Sequence, residues 1–417
     1  MTVDVAIVGA GLAGLACARA LTARGVSVAV FEASDAVGGR VRTDDVDGFR
    51  VDRGFQVFLT AYPEASAVLD YAALDLRPFT PGALVRLGGR WERVGDPFRD
   101  PLTLGPTVVS RIGSLADKFR VLGLRRSVRS GTSESLWARP ETTTAAALRD
   151  RYGFSEPMID RFFRPFLGGV QLDRDLGASS RAFEFAFRMF SEGDAAVPAR
   201  GMQAIPEQIA AALPAGTVRL CARVAHVEPD GTGVRIHDGV AVACRAVVVA
   251  VEAPEVPYLV PGTAVPASKS TLQIAWAAAA APTREPVLML DGDGRGPVNN
   301  VQVMSNVAPG YAPPGQALVT ASVLGHPART DADIESEARV QLRGWFGPAV
   351  DGWRTLAVHR ILHALPDLPS LDPPERRSHV RGGLFLTGDW LRNGSIDGAL
   401  VAGRHAAEAV AAHLRPA

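Results

Sequence analysis

The chain has 417 residues, of which 47% are hydrophobic, and this length predicts a folded protein with more than one domain. Its 44 basic residues are balanced by 44 acidic residues, so it lacks the positive excess typical of a nucleic-acid surface. The 3 cysteines are far apart and form no CxxC pair, which argues against a disulfide framework and a zinc site. We therefore expect no nucleic-acid partner, no metal and a reducing, cytoplasmic location.

The N-terminal residues are strongly apolar, but Asp4 stands where a secretory leader carries positive charge, so we do not interpret this run as a leader. No other apolar run approaches the ~18 residues of a membrane span. We expect no transmembrane segment, and peripheral contact with a membrane stays open. The abundance of Ala, Gly and Pro is typical of a bacterial protein.

The first elements in chain order are a strand, a helix and a second strand. The nearly continuous apolar run Val3–Val8 predicts a buried strand. Leu12–Arg24 has helical apolar spacing and ends at Gly25, after which Val26–Phe31 reads as the second buried strand. This β-α-β unit predicts two parallel strands joined by a right-handed crossover.

A glycine-rich turn joins the first strand to the first helix, with the sequence Gly9-Ala10-Gly11-Leu12-Ala13-Gly14. Gly9 permits the tight turn, Gly11 permits close approach to a pyrophosphate, and Gly14 permits close packing of helix on strand. Glu32 ends the second strand, where a carboxylate accepts hydrogen bonds from ribose hydroxyls. These features predict a dinucleotide site, and on their own they fit NAD(P) and FAD equally.

The rest of the chain alternates between helical and strand-like stretches. Residues from about Asp100 to Phe190 are mostly helical in pattern and include an aromatic, glycine-rich stretch at 161–169. Asp331–Phe346 and Ile396–Ala412 are predicted helices. The predicted strands are Val218–Val227, Val234–Val251, Thr271–Ala280, Val287–Leu290, Val298–Ser305, Ala317–Leu324 and Gly383–Leu386.

The run that follows Glu32, Ala33-Ser34-Asp35-Ala36-Val37-Gly38-Gly39-Arg40-Val41-Arg42-Thr43, resembles the extended motif of the flavin amine oxidase, phytoene desaturase and protoporphyrinogen oxidase superfamily. Residues 48–56, 384–389 and 394–400 resemble three further family segments. The resemblance implies FAD rather than NAD(P), and Arg40 and Arg42 offer positive charge to the two phosphates.

The resemblance also implies which residues bind FAD. Backbone groups around Gly54 would lie near the flavin ring, and Asp389 would bind the ribityl or pyrophosphate part. A backbone N–H near Ile396 would face the ring, where a helix N-terminus stabilises negative charge. The complete predicted set is Gly9, Gly11, Leu12, Ala13, Gly14, Glu32, Ala33, Gly39, Arg40, Gly54, Phe55, Val224, Gly388, Asp389, Ser395 and Ile396.

The fold expectation is α/β, with a Rossmann-like FAD-binding domain of parallel sheet and β-meander. The substrate domain is expected to be α+β, with a mixed sheet and a helical part. Since the motifs lie at both ends and in the middle, the FAD domain would be discontinuous, built from residues 1–75, 200–265 and 378–417. Residues 76–199 and 266–377 would form the substrate domain.

The expected reaction is removal of hydride from a C–H bond of a small substrate by bound flavin, with oxygen or a quinone as electron acceptor. Ser395 occupies a position where amine oxidases commonly hold an aromatic residue, which favours a desaturase-like or protoporphyrinogen-oxidase-like enzyme with an apolar substrate. The candidates for a catalytic side chain are Lys269 and His363. Because no cysteine follows Cys244, we expect noncovalent FAD.

Three alternatives stay open. The shared motif and Lys269 also suit an amine oxidase that acts on a C–N bond. A redox-neutral, flavin-dependent isomerase would use the same cofactor without net turnover. A flavin-binding protein without catalysis would need the same binding residues and no reactive pocket.

Overall fold

The computed structural model describes residues 3–96, 99, 101–371 and 378–415. In chain order, its strands are β1 (Val5–Val8), β2 (Val28–Phe31), β3 (Thr43–Val46), β4 (Phe49–Asp52), β5 (Phe58–Leu59), β6 (Leu76–Pro78), β7 (Gly82–Leu87), β8 (Arg90–Gly95), β9 (Ala195–Pro198), β10 (Val218–Arg219), β11 (Val224–Val227), β12 (Gly233–Ile236), β13 (Ala241–Ala243), β14 (Ala246–Val249), β15 (Ser268–Ala278), β16 (Leu288–Asp291), β17 (Val298–Val303), β18 (Ala317–Leu324), β19 (Arg354–Pro366), β20 (His379–Arg381) and β21 (Leu384–Leu386).

The α-helices follow the same order. They are α1 (Leu12–Thr22), α2 (Pro63–Val68), α3 (Tyr71–Leu74), α4 (Leu104–Val109), α5 (Leu115–Arg129), α6 (Ser133–Trp137), α7 (Thr144–Ala146), α8 (Glu156–Met158), α9 (Arg164–Gln171), α10 (Ser180–Glu192), α11 (Ala204–Ala211), α12 (Val256–Leu259), α13 (Met304–Val307), α14 (Asp331–Phe346) and α15 (Ile396–His413). None of the helices in the described ranges is long and apolar enough to cross a bilayer.

The first large sheet has the strand order β10-β2-β1-β14-β21-β20. Its pairs are parallel except the last, β21 with β20. β1 and β14 are buried along their whole length, as expected for central strands covered on both faces. The sheet combines strands from the beginning, the middle and the end of the chain, and the antiparallel meander β11-β12-β13 follows β10.

The second large sheet is mixed, with the order β19-β15-β18-β17-β16-β7-β8. It is antiparallel except where β16 pairs with β7. Helices α4 to α10 form the helical part between β8 and β9. The predicted α/β fold, with its parallel sheet, meander and mixed sheet, is confirmed; the exact domain boundaries stay a prediction.

Some predicted elements differ from the observed ones. The expected strand Val218–Val227 is divided, because Cys221 adopts the left-handed conformation with φ 53° and interrupts the ladder. Val234–Val251 is divided into three strands, with a turn at Gly239 (φ 91°) after the first. The hairpin β7-β8 had no counterpart among the predicted strands. By contrast, α14 and β18 have the predicted bounds.

Helices α1 and α15 pack against each other at very short range. A Cβ atom on Gly403 of α15 would lie 2.3 Å from the carbonyl oxygen of Ala13 and 2.8 Å from the Cβ of Ala16. No side chain fits there, so the glycine sets the distance between the two helices. The contact joins the first helix of the chain to the last and places both beside the parallel sheet.

Replacing Gly403 by alanine should therefore force α15 away from α1. We expect Gly403→Ala to lower the free energy of unfolding by about 1–3 kcal/mol, the usual cost of overpacking. Denaturant unfolding followed by circular dichroism measures the change.

Gly344→Ala is the matched control, because Gly344 is an exposed residue of α14 and its added Cβ would have no atom within 4 Å. This control should gain about 0.5–1 kcal/mol from the better helix propensity of alanine. Equal stability changes in the two variants would contradict the packing argument.

Candidate functional site

A cavity of about 840 Å³ extends between the parallel sheet and the mixed sheet. Its volume lies in the upper part of the ~300–1,000 Å³ range usual for ligand sites. One end is lined by the turn before α1, by the carboxyl end of β14 and by the start of α15. The other end is lined by α9, α10 and residues of the mixed sheet such as Thr271 and Asn300. We call these the nucleotide end and the substrate end.

The turn between β1 and α1 forms the wall of the nucleotide end. Gly9 has φ 106°, and a Cβ on it would lie 2.8 Å from the Ala250 carbonyl oxygen of the neighbouring strand end. A Cβ on Gly14 would lie 2.1 Å from the Gly9 carbonyl oxygen, while one on Gly11 would meet no atom within 4 Å. The first turn of α1 also lacks a side-chain cap. Its N–H groups and helix dipole therefore suit an anionic ligand.

Glu32 ends β2 beside this turn, and it is only 9% exposed. Its Oε2 accepts a hydrogen bond from the Ala10 N–H at 2.7 Å, and its Oε1 accepts from the N–H and hydroxyl of Ser34 at 2.9 and 2.8 Å. These contacts hold the carboxylate in one orientation. Further acceptor positions on its two oxygens are left for a ligand's hydroxyl groups.

Arg40 connects the two ends of the chain across the cavity. Its guanidinium donates to Asp389 Oδ1 at 2.7 Å and to the Ala364 carbonyl at 2.8 Å. Burial lowers the pKa of Arg40, but the Asp389 carboxylate outweighs burial and the net pKa is raised. Arg42 also lines the cavity, yet its guanidinium is paired with Asp35 at 3.0 Å. Its expected charge is therefore partly compensated before any phosphate is present.

A buried hydrogen-bond network around Asp52, the last residue of β4, supports the turn that follows this strand. Its Oδ1 accepts from the Thr43 hydroxyl at 2.6 Å and from the Met202 N–H at 3.0 Å, and its Oδ2 accepts from the Tyr311 hydroxyl at 2.9 Å. Burial raises the pKa of Asp52 to about 6 in spite of these hydrogen bonds. Within this turn, Gly54 donates its N–H to Gln273 Oε1 at 3.1 Å.

The start of α15 closes the same side of the cavity. Ser395 is the N-cap residue, and its hydroxyl oxygen accepts from the Gly398 N–H at 2.9 Å. Asp397 accepts from the N–H groups of Glu64 and Ala65 at 2.9 and 3.3 Å, which connects α15 to α2. Burial raises the pKa of Asp397 to about 6. The helix N-terminus is thus fixed with its dipole directed at the cavity.

The substrate end is apolar and aromatic. Tyr62 and Phe185 stack with ring centroids 6.2 Å apart, and Phe166 contacts Phe190 at 5.3 Å. The floor is polar but neutral, since Asn300 donates to Gln302 and Ser322 at 3.1 and 3.2 Å. The acidic residues that line the cavity are all outside this end, namely Glu32, Glu252, Glu255 and Asp389.

Of the two candidates for a catalytic side chain, the structure brings one to the cavity. Lys269 lies in β15, lines the cavity and is paired with Asp173 at 2.8 Å and Asp367 at 3.4 Å. It is therefore a partly buried, ion-paired residue rather than a surface lysine. Burial raises the pKa of Asp173, but Lys269 outweighs this effect and the net pKa is lowered.

His363, the other candidate, is exposed and is not among the described residues that line the cavity. Lys269 pairs with Leu365 and Thr271 pairs with Ile361, so β19 has two more residues than β15 between these positions. His363 lies in that bulge. The irregular register, which the histidine spacing did not reveal, leaves the side chain exposed.

The residues predicted to bind a cofactor lie together. All of them line the cavity except Gly14, which packs beneath the turn. Sequence reasoning missed several lining residues at the carboxyl end of β14 and in α9 and α12. A signal for the first group was available, since ligands bind outside the carboxyl ends of parallel strands. The missed residues include Ala250, Val251, Glu252, Glu255, Tyr258, Gly169, Val170 and Gln171.

A model of the family described as flavin containing amine oxidoreductase matches residues 12–411. Protoporphyrinogen oxidase 2 of Arabidopsis thaliana is 32% identical over 166 residues, which are 40% of this chain and 32% of that protein. Coproporphyrinogen III oxidase of Propionibacterium freudenreichii is 31% identical over 170 residues, 39% of this chain and 31% of that protein. The matched regions thus span about a third of these curated relatives.

Solved structures show the same fold over the whole chain. Wild-type putrescine oxidase bound to putrescine has a TM-score of 0.73 at 19% identity, with 99% of both chains covered. Cyclohexylamine oxidase from Brevibacterium oxydans has a TM-score of 0.70 at 20% identity, with 99% of both chains covered. The sequence relatives and structural neighbours therefore include enzymes named for porphyrinogens and enzymes named for amines.

The buried Asp52 carboxyl predicts a specific pH dependence of stability. Between its ordinary pKa of 3.8 and the raised value of about 6, the folded protein holds a proton that the unfolded chain releases. Stability from this group is therefore present below about pH 4 and is lost as the pH rises through about 6. Asp52→Asn removes the titration, so its stability relative to wild type should improve by up to about 3 kcal/mol between pH 4 and pH 8.

Denaturant unfolding at a series of pH values measures this difference. Asp150→Asn is the control, because Asp150 is exposed and its replacement should leave the slope close to that of wild type. If Asp52→Asn and wild type keep a constant difference from pH 4 to pH 8, the buried carboxyl does not titrate as described.

Proposed function

Because the chain belongs to the family of flavin-containing amine oxidoreductases, we propose that it removes hydride from a C–H bond of an apolar, uncharged substrate, with noncovalent FAD as its cofactor. Family membership makes the protein a flavin-dependent oxidoreductase. The observation that carries the substrate class is the substrate end of the cavity, which is aromatic, has a neutral polar floor and is lined by no carboxylate in the described ranges.

The nucleotide end fits FAD on several independent features. The glycine turn and uncapped first turn of α1 would hold the pyrophosphate, and Glu32 would accept from the adenosine ribose. Asp389 and Arg40 would contact the ribityl-pyrophosphate part. Gly54 and the N-terminus of α15, with Ser395 and Ile396, would lie near the ring, and Val224 would hold the adenine through its backbone. The remaining residues of the set line the same cavity, namely Leu12, Ala13, Ala33, Gly39, Phe55 and Gly388.

Noncovalent binding is supported by the chemistry of the lining. A covalent flavin link needs a nucleophilic side chain beside the ring. Neither cysteine nor histidine occurs among the cavity-lining residues between positions 3 and 415 that the structure describes. The buried Cys17 lies in α1, and burial raises the pKa of its thiol to about 12, which makes it unreactive.

FAD supplies the hydride acceptor when it is bound. The protein's own residues then have three tasks. The aromatic side chains of the substrate end orient an apolar molecule and exclude water, and Asn300 and Ser322 offer neutral hydrogen bonds for its polar groups. The N-terminus of α15 supplies partial positive charge to that side of the cavity. Oxygen or a quinone would serve as the final acceptor.

An amine oxidase is the second candidate, and Lys269 is the observation that favours it. This lysine lines the substrate end with Tyr62 and Phe185, and an amine substrate would stack between such rings. Against it, Ser395 leaves no aromatic ring at the start of α15. The pairing of Lys269 with Asp173 also leaves no free carboxylate to attract a cation.

The role of Glu32 can be tested through cofactor retention. Glu32→Ala removes an acceptor for the ribose hydroxyls, so FAD should bind at least tenfold more weakly, as expected for loss of a charged hydrogen bond. The ratio of flavin absorbance to protein absorbance after gel filtration, and titration of the apoprotein with FAD, measure the effect.

Glu207→Ala is the control, because Glu207 is an exposed carboxylate on α11. Thermal unfolding of both apoproteins separates weak binding from a folding defect, since Glu32 also accepts hydrogen bonds from the backbone. Unchanged flavin content in Glu32→Ala would refute the assignment.

The substrate class can be tested by anaerobic reduction of the flavin. Holoenzyme is mixed with matched pairs of neutral and cationic compounds, including polyenes, porphyrinogens and amines, and loss of absorbance near ~450 nm is followed. Neutral apolar compounds should bleach the flavin faster than their cationic analogues, because the substrate end offers no counter-charge.

Reoxidation with oxygen or a quinone then identifies the acceptor. A tenfold advantage for cationic amines over neutral analogues would overturn the proposed substrate class and support the amine oxidase. If no compound reduces the flavin although dithionite does, the hydride-transfer proposal fails.

A further inference from the structure

The exposed large apolar side chains of the protein are concentrated in one segment. Six of them lie in α4 and α5, namely Leu104, Val108, Val109, Leu115, Phe119 and Leu122. Val109 is 79% exposed and Phe119 is 65% exposed. Outside residues 102–122, the exposed apolar residues are dispersed along the chain, as on any soluble surface. We call the six residues the outer apolar surface.

The stripe on α5 faces outward. Leu115, Phe119, Leu122 and Arg126 recur at helical spacing and are all exposed, whereas Asp117, Leu124 and Val128 are buried. The helix is fixed in this orientation by Asp117, which caps its start through Ser114 and accepts from the Ser155 N–H at 2.9 Å. The apolar stripe is thus a feature of a well-anchored helix.

Helices α4 and α5 present their apolar residues as one surface. The Lys118 Nζ donates to the carbonyl oxygens of Val108 and Ser110 at 2.6 and 2.8 Å, which holds the end of α4 against the start of α5. Val108 and Val109 therefore lie beside the stripe that begins at Leu115.

The exposed charged residues within this segment are all basic. Between residues 102 and 129, the exposed charged residues are Arg111, Arg120, Arg126 and Arg129. Glu92 pairs with Arg111, Asp117 with Arg120, and Glu192 lies 3.8 Å from Arg129. Within the described ranges, Arg126 and Lys118 have no carboxylate at ion-pair distance. In a chain of zero net charge, this leaves a local positive excess beside exposed apolar groups.

We propose that the outer apolar surface docks on an anionic lipid bilayer, with its apolar side chains inserted at the interface and Arg126 near the lipid phosphates. Amphipathic helices with apolar and basic residues bind membranes in this way. A second copy of the chain fits less well, because a two-fold contact through this surface would bring the basic residues of both copies together.

Co-sedimentation of the full-length holoenzyme with lipid vesicles tests the proposal. Vesicles of phosphatidylcholine alone are compared with vesicles containing an equal part of phosphatidylglycerol, at about 0.1 M and about 0.5 M salt. We expect at least tenfold stronger partitioning to the anionic vesicles at low salt, and a marked loss at high salt. Absence of binding to both vesicle types would overturn the proposal.

Variants distinguish docking through the outer apolar surface from non-specific adsorption of the protein to lipid. Phe119→Glu together with Val109→Glu should weaken partitioning at least tenfold, and Arg126→Glu alone should abolish the preference for anionic lipid. Val340→Glu is the matched control, because Val340 is 71% exposed on α14, and it should bind like wild type. An equal loss of partitioning in the control would refute lipid docking. So would a different result, in which no vesicle binding occurs and light scattering shows a dimer that Phe119→Glu converts to a monomer.

Discussion

The position of α1 is the constraint on which the nucleotide end of the cavity depends. The helix can start at the end of β1 only because Gly9 and Gly14 have no side chains, and it can touch α15 only because Gly403 has none. These close approaches aim an uncapped helix terminus at the cavity. They also align the N-termini of α1 and α15 beside the same sheet, so two positive dipole ends face one cavity.

Electrostatics divides the cavity into two chemically different halves. The acidic residues that line the cavity lie at the nucleotide end, including Glu32 and Asp389, which is paired with Arg40. The substrate end relies on aromatic packing and neutral amides, with Lys269 already paired to Asp173. A charged cofactor and an uncharged substrate are therefore the combination that this distribution suits best, because neither would leave an unpaired charge in an apolar wall.

Much of the cofactor end could be predicted from the sequence, because its determinants are local. The glycine turn, the strand β2 and the acidic residue Glu32 at the end of that strand all lie within about thirty residues of sequence. The substrate end depends on distant pairing. The hairpin of β7 with β8 is local, but the pairing of β7 with β16, which places it in the mixed sheet, joins segments some two hundred residues apart. The bulge in β19 that contains His363 is likewise invisible in residue spacing. The ion pair of Lys269 could not be predicted, because Asp173 comes from another segment.

The Arg40–Asp389 pair has a consequence for biosynthesis. Its members are separated by 349 positions, so Asp389 is synthesised long after Arg40. At about 10 residues per second, the ribosome needs roughly half a minute to add the second partner after the first. During that interval β1, α1 and β2 exist without β21, and the glycine turn has no opposite wall. The complete cavity therefore forms only after β21 and Asp389 have left the ribosome, and until then β1, α1 and β2 lack the strand order of the finished sheet.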